Sequence, residues 1–187
     1  MVKQRLYAGL SYESVVNDFS DTVTRIWALH CGNFEDAKDC YQQVFLKLYM
    51  SDIDFTTTSY LKAWLIRVSV TTSLDYIKQY WKKNIVFLSS SDSVRSMVDA
   101  LIAHSPEKQA LCSPHDPQLL VQVLSLPLKY RQILYLYYYE ELKVTEISQL
   151  LSKSPGTVKS QLSRGRSLLK KKLIKSGFGG ANYEELI

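Results

Sequence analysis

Apolar residues recur at intervals of three or four positions through most of this 187-residue chain. Such spacing places them on one face of an α-helix, because an α-helix turns once in about 3.6 residues. The alternation with a period of two that marks a half-buried β-strand does not compete with it. The sequence therefore predicts an all-α protein.

Three long helices are predicted before residue 88, and each carries one apolar stripe. The stripe of the first helix consists of Val15, Phe19, Val23, Ile26 and Trp27. The stripe of the second consists of Ala37, Cys40, Tyr41, Val44, Phe45 and Leu48. The stripe of the third consists of Leu61, Trp64, Leu65, Val68, Thr72 and Ile77. A polar stretch, residues 51–59, separates the second helix from the third.

Residues 89–117 change character, with frequent serine and with prolines at positions 106, 114 and 117. Such composition is typical of a flexible linker between domains. We therefore predict two small helical bundles, residues 1–88 and 118–176, joined by a linker over 89–117. The glycine-rich tail, residues 177–187, is expected to be flexible.

Cysteine usage and hydropathy predict a cytoplasmic protein. Cys31, Cys40 and Cys112 are odd in number and form no C-x-x-C pair, which argues against disulfides and structural zinc. No stretch approaches the roughly 18 apolar residues of a membrane span, and the N-terminus lacks the apolar core of an export signal.

Positive charge is concentrated toward the C-terminus. Residues 117–187 contain eleven Lys or Arg against five Asp or Glu, whereas residues 1–90 contain ten against nine. This asymmetry indicates a polyanionic partner for the C-terminal bundle, although a basic surface is also compatible with simple solvation.

The C-terminal segment has the outline of a DNA-binding helix-turn-helix, since VTEISQLL and PGTVKSQLSRGRSLLKKKLI are joined by the short turn SKS. On a helical wheel, Val158, Leu162, Gly165 and Leu169 fall within an arc of about 60°. Hydroxyl groups, the Gln161 amide and long cations occupy the remaining surface, as a helix that enters a DNA groove requires.

The start of that second helix offers a further expectation. Ser154 is expected to cap the helix, and Pro155 to occupy its first turn. Free backbone amides near Thr157 are expected to be available to a phosphate. The alternative is an ordinary amphipathic surface helix with a basic end.

A second constellation, LDYIKQYWKKN, interleaves aromatic and basic side chains at residues 74–84. Aromatic rings that stack on bases and lysines that follow the backbone are typical of single-strand binding. The alternative is that Tyr76 and Trp81 pack into the bundle core, and the sequence alone favours it.

Residues suited to catalysis are sparse. His30, His104 and His115 have no acid or thiol partner at a catalytic or metal-ligating spacing, and no glycine-rich phosphate loop is present. We therefore expect no enzymatic activity, no cofactor, no metal and no small-molecule substrate.

Both constellations, in this order, resemble the sigma-70 family of RNA polymerase sigma factors, specifically its extracytoplasmic-function (ECF) type. FEDAKDCYQQVFLKLY and WLIRVSVTTSLDYIKQ are similar to the family's region 2 segments D-A-x-D-x-x-Q-x-x-F and W-L-x-R-I-A-x-N-x-x-x-D-x-x-R. LSLPLKYRQ and TEISQLLSKSPGTVKSQLSRGR are similar to the region 4 pattern L-P-x-x-x-R and E-I-A-x-x-L…G-T-V-K-S-R-L-x-R-A-R. The resemblance spans nearly the whole chain except the linker and the tail.

This resemblance implies a subunit that binds core RNA polymerase and recognises the −10 and −35 promoter elements. A winged-helix-like helix-turn-helix of region 4 would contact the −35 duplex through Thr157, Lys159, Ser160, Gln161, Ser163, Arg164, Arg166 and Lys170. Region 2 would capture the melted −10 strand through the loop 51–59 and through Thr71, Lys78, Tyr80 and Lys82. Asp39, Gln42, Gln43 and Lys47 would dock on the polymerase clamp, and region 4 on its flap. The family also implies an anti-sigma factor as a regulatory partner.

The chain departs from the family pattern at several positions. Thr71 replaces the usual Asn, Gln161 the usual Arg, Gly165 the usual Ala, and Glu141 a turn glycine. At position 165 the missing methyl group costs up to about 1 kcal/mol of helix stability if nothing compensates for it. The alternative hypothesis is a stand-alone helix-turn-helix regulator that never becomes a polymerase subunit, which shares the C-terminal helices but leaves the N-terminal similarity unexplained.

Overall fold

The computed structural model describes residues 5–30, 34–81, 99 and 117–177. The chain divides into two compact units, Met1–Phe87 and Leu88–Ile187. The predicted linker lies outside the described residues except for its residues 99 and 117, as does the predicted tail beyond residue 177. Within the described ranges, no helix is long and apolar enough to cross a membrane.

The N-terminal unit contains three helices, α1 (Tyr12–His30), α2 (Phe34–Met50) and α3 (Thr58–Trp81). The predicted stripes form their shared core. Buried members of the stripes are Val15, Phe19, Val23, Ile26, Trp27, Val44, Phe45, Leu48, Leu61, Leu65 and Thr72. Tyr41, Trp64, Val68 and Ile77 are partly buried, whereas the side chains of Ala37 and Cys40 lie outside the described part. Burial of this stripe in all three helices confirms the predicted bundle.

A tight turn at the start of the chain braces the loop between α2 and α3. Tyr7 and Leu10 exchange two backbone hydrogen bonds, of 2.8 and 3.0 Å, around Ala8 and Gly9. Arg5 Nη2 donates to the carbonyl oxygen of Ile53 at 3.0 Å. The Tyr7 ring also packs 6.2 Å from the ring of the buried Phe55. Arg5 thus binds the backbone of the loop, and Tyr7 packs against the buried side chain of the loop, Phe55.

The C-terminal unit contains α4 (Pro117–Leu124), α5 (Leu128–Tyr138), α6 (Val144–Leu150) and α7 (Pro155–Lys175). Its core is built mainly from α5 and α7, and the shorter helices pack against them. The buried Arg131 joins two of the helices, since its Nη1 donates to the carbonyl oxygen of Leu124 at 2.7 Å. The described residues of both units are helical apart from turns and one isolated bridge, which confirms the all-α fold.

The turn after α5 has the left-handed conformation at a residue that is not glycine. Glu141 adopts φ of 56°, a region in which the Cβ atom of an L-residue is crowded. Sequence comparison with the family pattern pointed to this position, where glycine is usual. The turn is thus formed without glycine, at a conformational cost.

We expect Glu141→Gly to raise the free energy of unfolding of the C-terminal unit by about 0.5–1 kcal/mol. Relief of the left-handed strain outweighs the extra chain entropy that glycine loses on folding. Urea unfolding followed by circular dichroism measures the change. Glu141→Ala, which keeps Cβ, is the control, and an equal gain in both variants would contradict the explanation.

Candidate nucleic-acid interface

Helix α7 begins as the sequence predicts, with Ser154 as its N-cap and Pro155 as its first residue. The Thr157 N–H donates to Ser154 Oγ at 3.1 Å, and the two hydroxyl groups are 2.8 Å apart. The predicted cap is confirmed. The cap itself uses the Thr157 N–H, so this one donor is not among the free amides that the sequence predicts near Thr157.

The two faces of α7 separate cleanly. The predicted apolar positions Val158, Leu162, Gly165 and Leu169 are all buried. Leu173 extends this stripe by one more turn. On the other side, the exposed candidates are Thr157, Lys159, Ser160, Ser163, Arg164 and Lys170. Gln161 and Arg166 are partly buried at the margins of that surface.

The serine hydroxyls on the exposed face are partly committed to the helix. Ser160 Oγ donates to the Thr157 carbonyl at 3.0 Å, and Ser167 Oγ donates to the Ser163 carbonyl at 3.1 Å. Since each hydroxyl has one hydrogen, the lone pairs of these oxygens remain for a partner. In this arrangement Ser160 can accept from an exocyclic amino group of cytosine or adenine.

Gln161 is held by a lysine from the preceding turn. Lys153 Nζ donates to Gln161 Oε1 at 3.0 Å. Partial burial, and then the nearby charge of Lys129, lower the pKa of Lys153 from its usual value. No pattern in the sequence predicts this contact, since the two residues lie on different elements.

Arg166 lies against aromatic rings of α5. Its guanidinium carbon is 5.6 Å from the centre of the Tyr137 ring and 5.4 Å from that of Tyr138. Such cation–π contacts fix the position of the side chain. If Arg166 binds phosphate as predicted, it does so while its guanidinium group lies against the Tyr137 and Tyr138 rings.

Gly165 of α7 packs tightly against α5. A Cβ atom at this position would lie 3.3 Å from Cγ and Cδ1 of Leu134 and 3.4 Å from Cβ of Tyr130. The close packing against Leu134 and Tyr130 thus explains why glycine stands here in place of the family's usual alanine.

Of the side chains predicted to contact the −10 strand, Thr71, Lys78 and Tyr80 belong to α3. Thr71 and Lys78 are exposed. Thr71 Oγ1 is within hydrogen-bond distance of the carbonyls of Arg67 and Val68, at 2.9 and 3.1 Å. Lys78 pairs with Asp75 at 3.2 Å. The side chain of Tyr80 and all of Lys82 lie outside the described residues.

Tyr76, one aromatic residue of the proposed single-strand constellation, packs against the core of the N-terminal unit. Its ring packs edge-on against the buried Trp27, with the ring centres 6.1 Å apart. It is partly buried against the core of the N-terminal unit. The alternative that the sequence favoured, an aromatic that belongs to the bundle, is confirmed for Tyr76.

The candidates for polymerase binding belong to α2. Gln42, Gln43 and Lys47 are exposed, whereas the side chain of Asp39 is not among those described. Lys47 Nζ also donates to Thr72 Oγ1 of α3 at 2.7 Å, so it joins the two helices. Leu46 and Met50, which are 56% and 72% exposed, add an apolar component to the same helix. The sequence analysis did not name these two residues. Their positions outside the predicted apolar stripe of α2 are the pattern that could have identified them.

Comparisons with known proteins cover both units. The family model described as sigma-70 region 2 matches residues 15–83, and the one described as sigma-70, region 4, matches residues 118–169. The chain is 27% identical over 168 residues to the ECF RNA polymerase sigma factor SigW of Bacillus subtilis (strain 168), which covers 87% of this chain and 89% of that protein. It is 32% identical over 135 residues to the ECF RNA polymerase sigma factor SigM of the same organism, which covers 72% of this chain and 77% of that protein.

Proposed function

The chain belongs to the sigma-70 family as an ECF RNA polymerase sigma factor, and we propose that its two bundles divide promoter recognition between them. It binds core RNA polymerase and promoter DNA. The N-terminal bundle, residues 1–88, engages the polymerase and the −10 element, and the C-terminal bundle, residues 118–176, engages the −35 element. Residues 89–117 connect the two.

The observation that carries the proposal is the separation of faces on α7. One side of the helix is buried in its own bundle, and the other presents hydroxyl groups and long cations. Groups of these kinds contact base edges and phosphates in a major groove. We assign Lys159, Ser160, Gln161, Ser163 and Arg164 to the −35 duplex, with Thr157 at the start of the helix and with Arg166 and Lys170 nearer the phosphates.

Arg164→Ala is expected to weaken binding to the −35 element by about 1–3 kcal/mol, since an arginine on this face can bond guanine through two donors. The loss should depend on the base at one position of the element. Binding of holoenzyme to promoter fragments with single-base substitutions measures it.

Lys170→Ala is the matched comparison, because it removes one cation of α7 from the part assigned to phosphate. It should lower affinity for all fragments alike and reduce the dependence of affinity on salt. A uniform loss for Arg164→Ala, or a base-dependent loss for Lys170→Ala, would contradict these assignments.

For the N-terminal bundle we propose two surfaces. Asp39, Gln42, Gln43 and Lys47 dock on the polymerase clamp, while the C-terminal bundle docks on the flap. The loop 51–59 receives the melted −10 strand together with Thr71, Lys78, Tyr80 and Lys82. Supporting this, the loop is fixed by Arg5 and by the buried Phe55.

In-vitro transcription tests the proposal as a whole. Core polymerase with the purified chain should start transcription at defined promoters, whereas core polymerase alone should not. The stand-alone regulator predicts no stoichiometric complex with polymerase and no start. It also leaves the match of residues 15–83 to sigma-70 region 2 without a role.

We place the protein in the cytoplasm, where core polymerase acts, and give it no catalytic activity of its own. An anti-sigma factor that masks the polymerase-binding surfaces is its proposed regulator. Co-purification of the chain under non-inducing conditions should recover that partner in place of polymerase.

A further inference from the structure

The hydrogen bond between Lys153 and Gln161 determines which part of the Gln161 amide faces a partner. Lys153 Nζ lies 3.0 Å from Gln161 Oε1. An ammonium group has donors and no acceptor, so the atom that it contacts must be the amide oxygen. Among the described residues, no acceptor is bound to Gln161 Nε2. Gln161 therefore keeps its whole N–H₂ donor group for DNA, whereas one of the two lone pairs of its oxygen is occupied.

The backbone of Lys153 is fixed by α6. The Lys153 N–H donates to the Ser148 carbonyl at 3.0 Å, and Ser148 Oγ donates to the Lys153 carbonyl at 2.5 Å. The preceding residue, Ser152, has a left-handed φ of 51°, which turns the chain toward α7. The lysine thus reaches Gln161 from a rigid position, and the contact needs little further ordering of the chain.

We propose that Lys153 is a positioning residue that biases Gln161 toward donating at the −35 duplex and thereby selects guanine over adenine at one base pair. A free glutamine bonds adenine through two contacts, donating to N7 and accepting from the N6 amino group. The oxygen of Gln161 has two lone pairs, and Lys153 occupies one of them with a charged group that disfavours a second donor, such as adenine N6, beside it. Guanine presents two acceptors, N7 and O6, and suits an amide that donates through N–H₂ and has a cation beside its oxygen.

The inference rests on the proposed function, and its test is arranged in two stages. Holoenzyme assembled from core polymerase and the full chain is first used to select promoters from a random library of duplex DNA. One recovered promoter is then changed to each of the four bases at every −35 position. Failure to recover any promoter would overturn the proposed function, and the inference with it. Recovery of a promoter leaves the inference to be decided separately by the variants.

We expect one −35 base pair at which the wild-type chain prefers guanine over adenine by about tenfold. Lys153→Met should abolish or reverse that preference, because Oε1 then accepts from adenine without the competing charge of the ammonium group. Lys153→Arg, which still supplies a donor, should retain it. In a Gln161→Met background, which lacks the amide, Lys153→Met should leave base preference unchanged.

A charge control separates positioning from simple loss of a cation. Lys170→Met should weaken binding to all fragments without changing the preference at that base pair. The inference is overturned if Lys153→Met behaves like Lys170→Met, or if it alters base preference equally with and without the Gln161 amide. A wild-type preference for adenine at every position sensitive to Gln161→Met would also overturn it.

Discussion

Trp27→Ala is expected to lower the free energy of unfolding of the N-terminal unit by about 3–5 kcal/mol. The Trp27 side chain is 0% exposed and packs against the ring of Tyr76 on α3. Its removal leaves a cavity that the edge-on ring of Tyr76 cannot fill without moving α3. A loss of this size is a large part of the stability of a small domain.

The unfolding of that unit has its own optical probe. All three tryptophans of the chain, Trp27, Trp64 and Trp81, precede residue 88. In the variant, the fluorescence of the remaining tryptophans therefore follows the N-terminal unit alone during urea unfolding. The expected result is a midpoint at clearly lower urea than in the wild type.

Trp27→Phe is the matched control. The indole Nε1 is buried and has no hydrogen-bond partner among the described residues, so the change to phenylalanine breaks no hydrogen bond. It keeps an aromatic ring beside Tyr76, and we expect a smaller loss of about 1–2 kcal/mol. Equal losses in the two variants would show that the cavity is not the cause.

The core of both units could be predicted from the sequence because it depends on spacing within single helices. At 100° per residue, Val158, Leu162, Gly165 and Leu169 must share a face whatever they pack against. The same argument located Trp27 and its neighbours on α1. The start of α7 could be predicted as well, because the Ser154 cap acts within one turn of the helix.

Contacts between elements could not be derived in this way. The bond from Lys153 to Gln161 depends on the direction in which the turn leaves α6, and that direction is set by the left-handed Ser152. The docking of Arg166 on Tyr137 depends on the orientation of α5 relative to α7. Helical periodicity contains neither the direction of the turn nor the orientation of the two helices. The sequence therefore predicts only that the side chains of Gln161 and Arg166 point toward DNA.

A backbone donor also escaped the sequence argument, for a different reason. The first amides of a helix lack partners within the helix, which suggested a phosphate site near Thr157. The serine that marks the helix start takes up that amide itself. The serine that marks the helix start thus engages one of the amides that the sequence assigns to a phosphate near Thr157.

Gly165→Leu is expected to destabilise the C-terminal unit by about 3 kcal/mol or more, at the upper end of the cost of overpacking a core. A single Cβ atom would already lie 3.3 Å from Leu134 and 3.4 Å from Tyr130. The additional carbon atoms of leucine have no space unless α5 moves away from α7. Such a shift would disturb the helix assigned to the −35 element and abolish −35-dependent binding by holoenzyme.

Gly165→Ala separates helix propensity from packing at the same position. Alanine favours the helix over glycine by about 1 kcal/mol, but its methyl group must displace Leu134 by a few tenths of an ångström. We therefore expect little net change for alanine and a large loss for leucine in urea unfolding followed by circular dichroism. Tryptophan fluorescence should be unaffected in both, since residues 88–187 contain no tryptophan. A leucine variant as stable as the wild type would mean that α5 and α7 do not approach as closely as the packing at Gly165 requires.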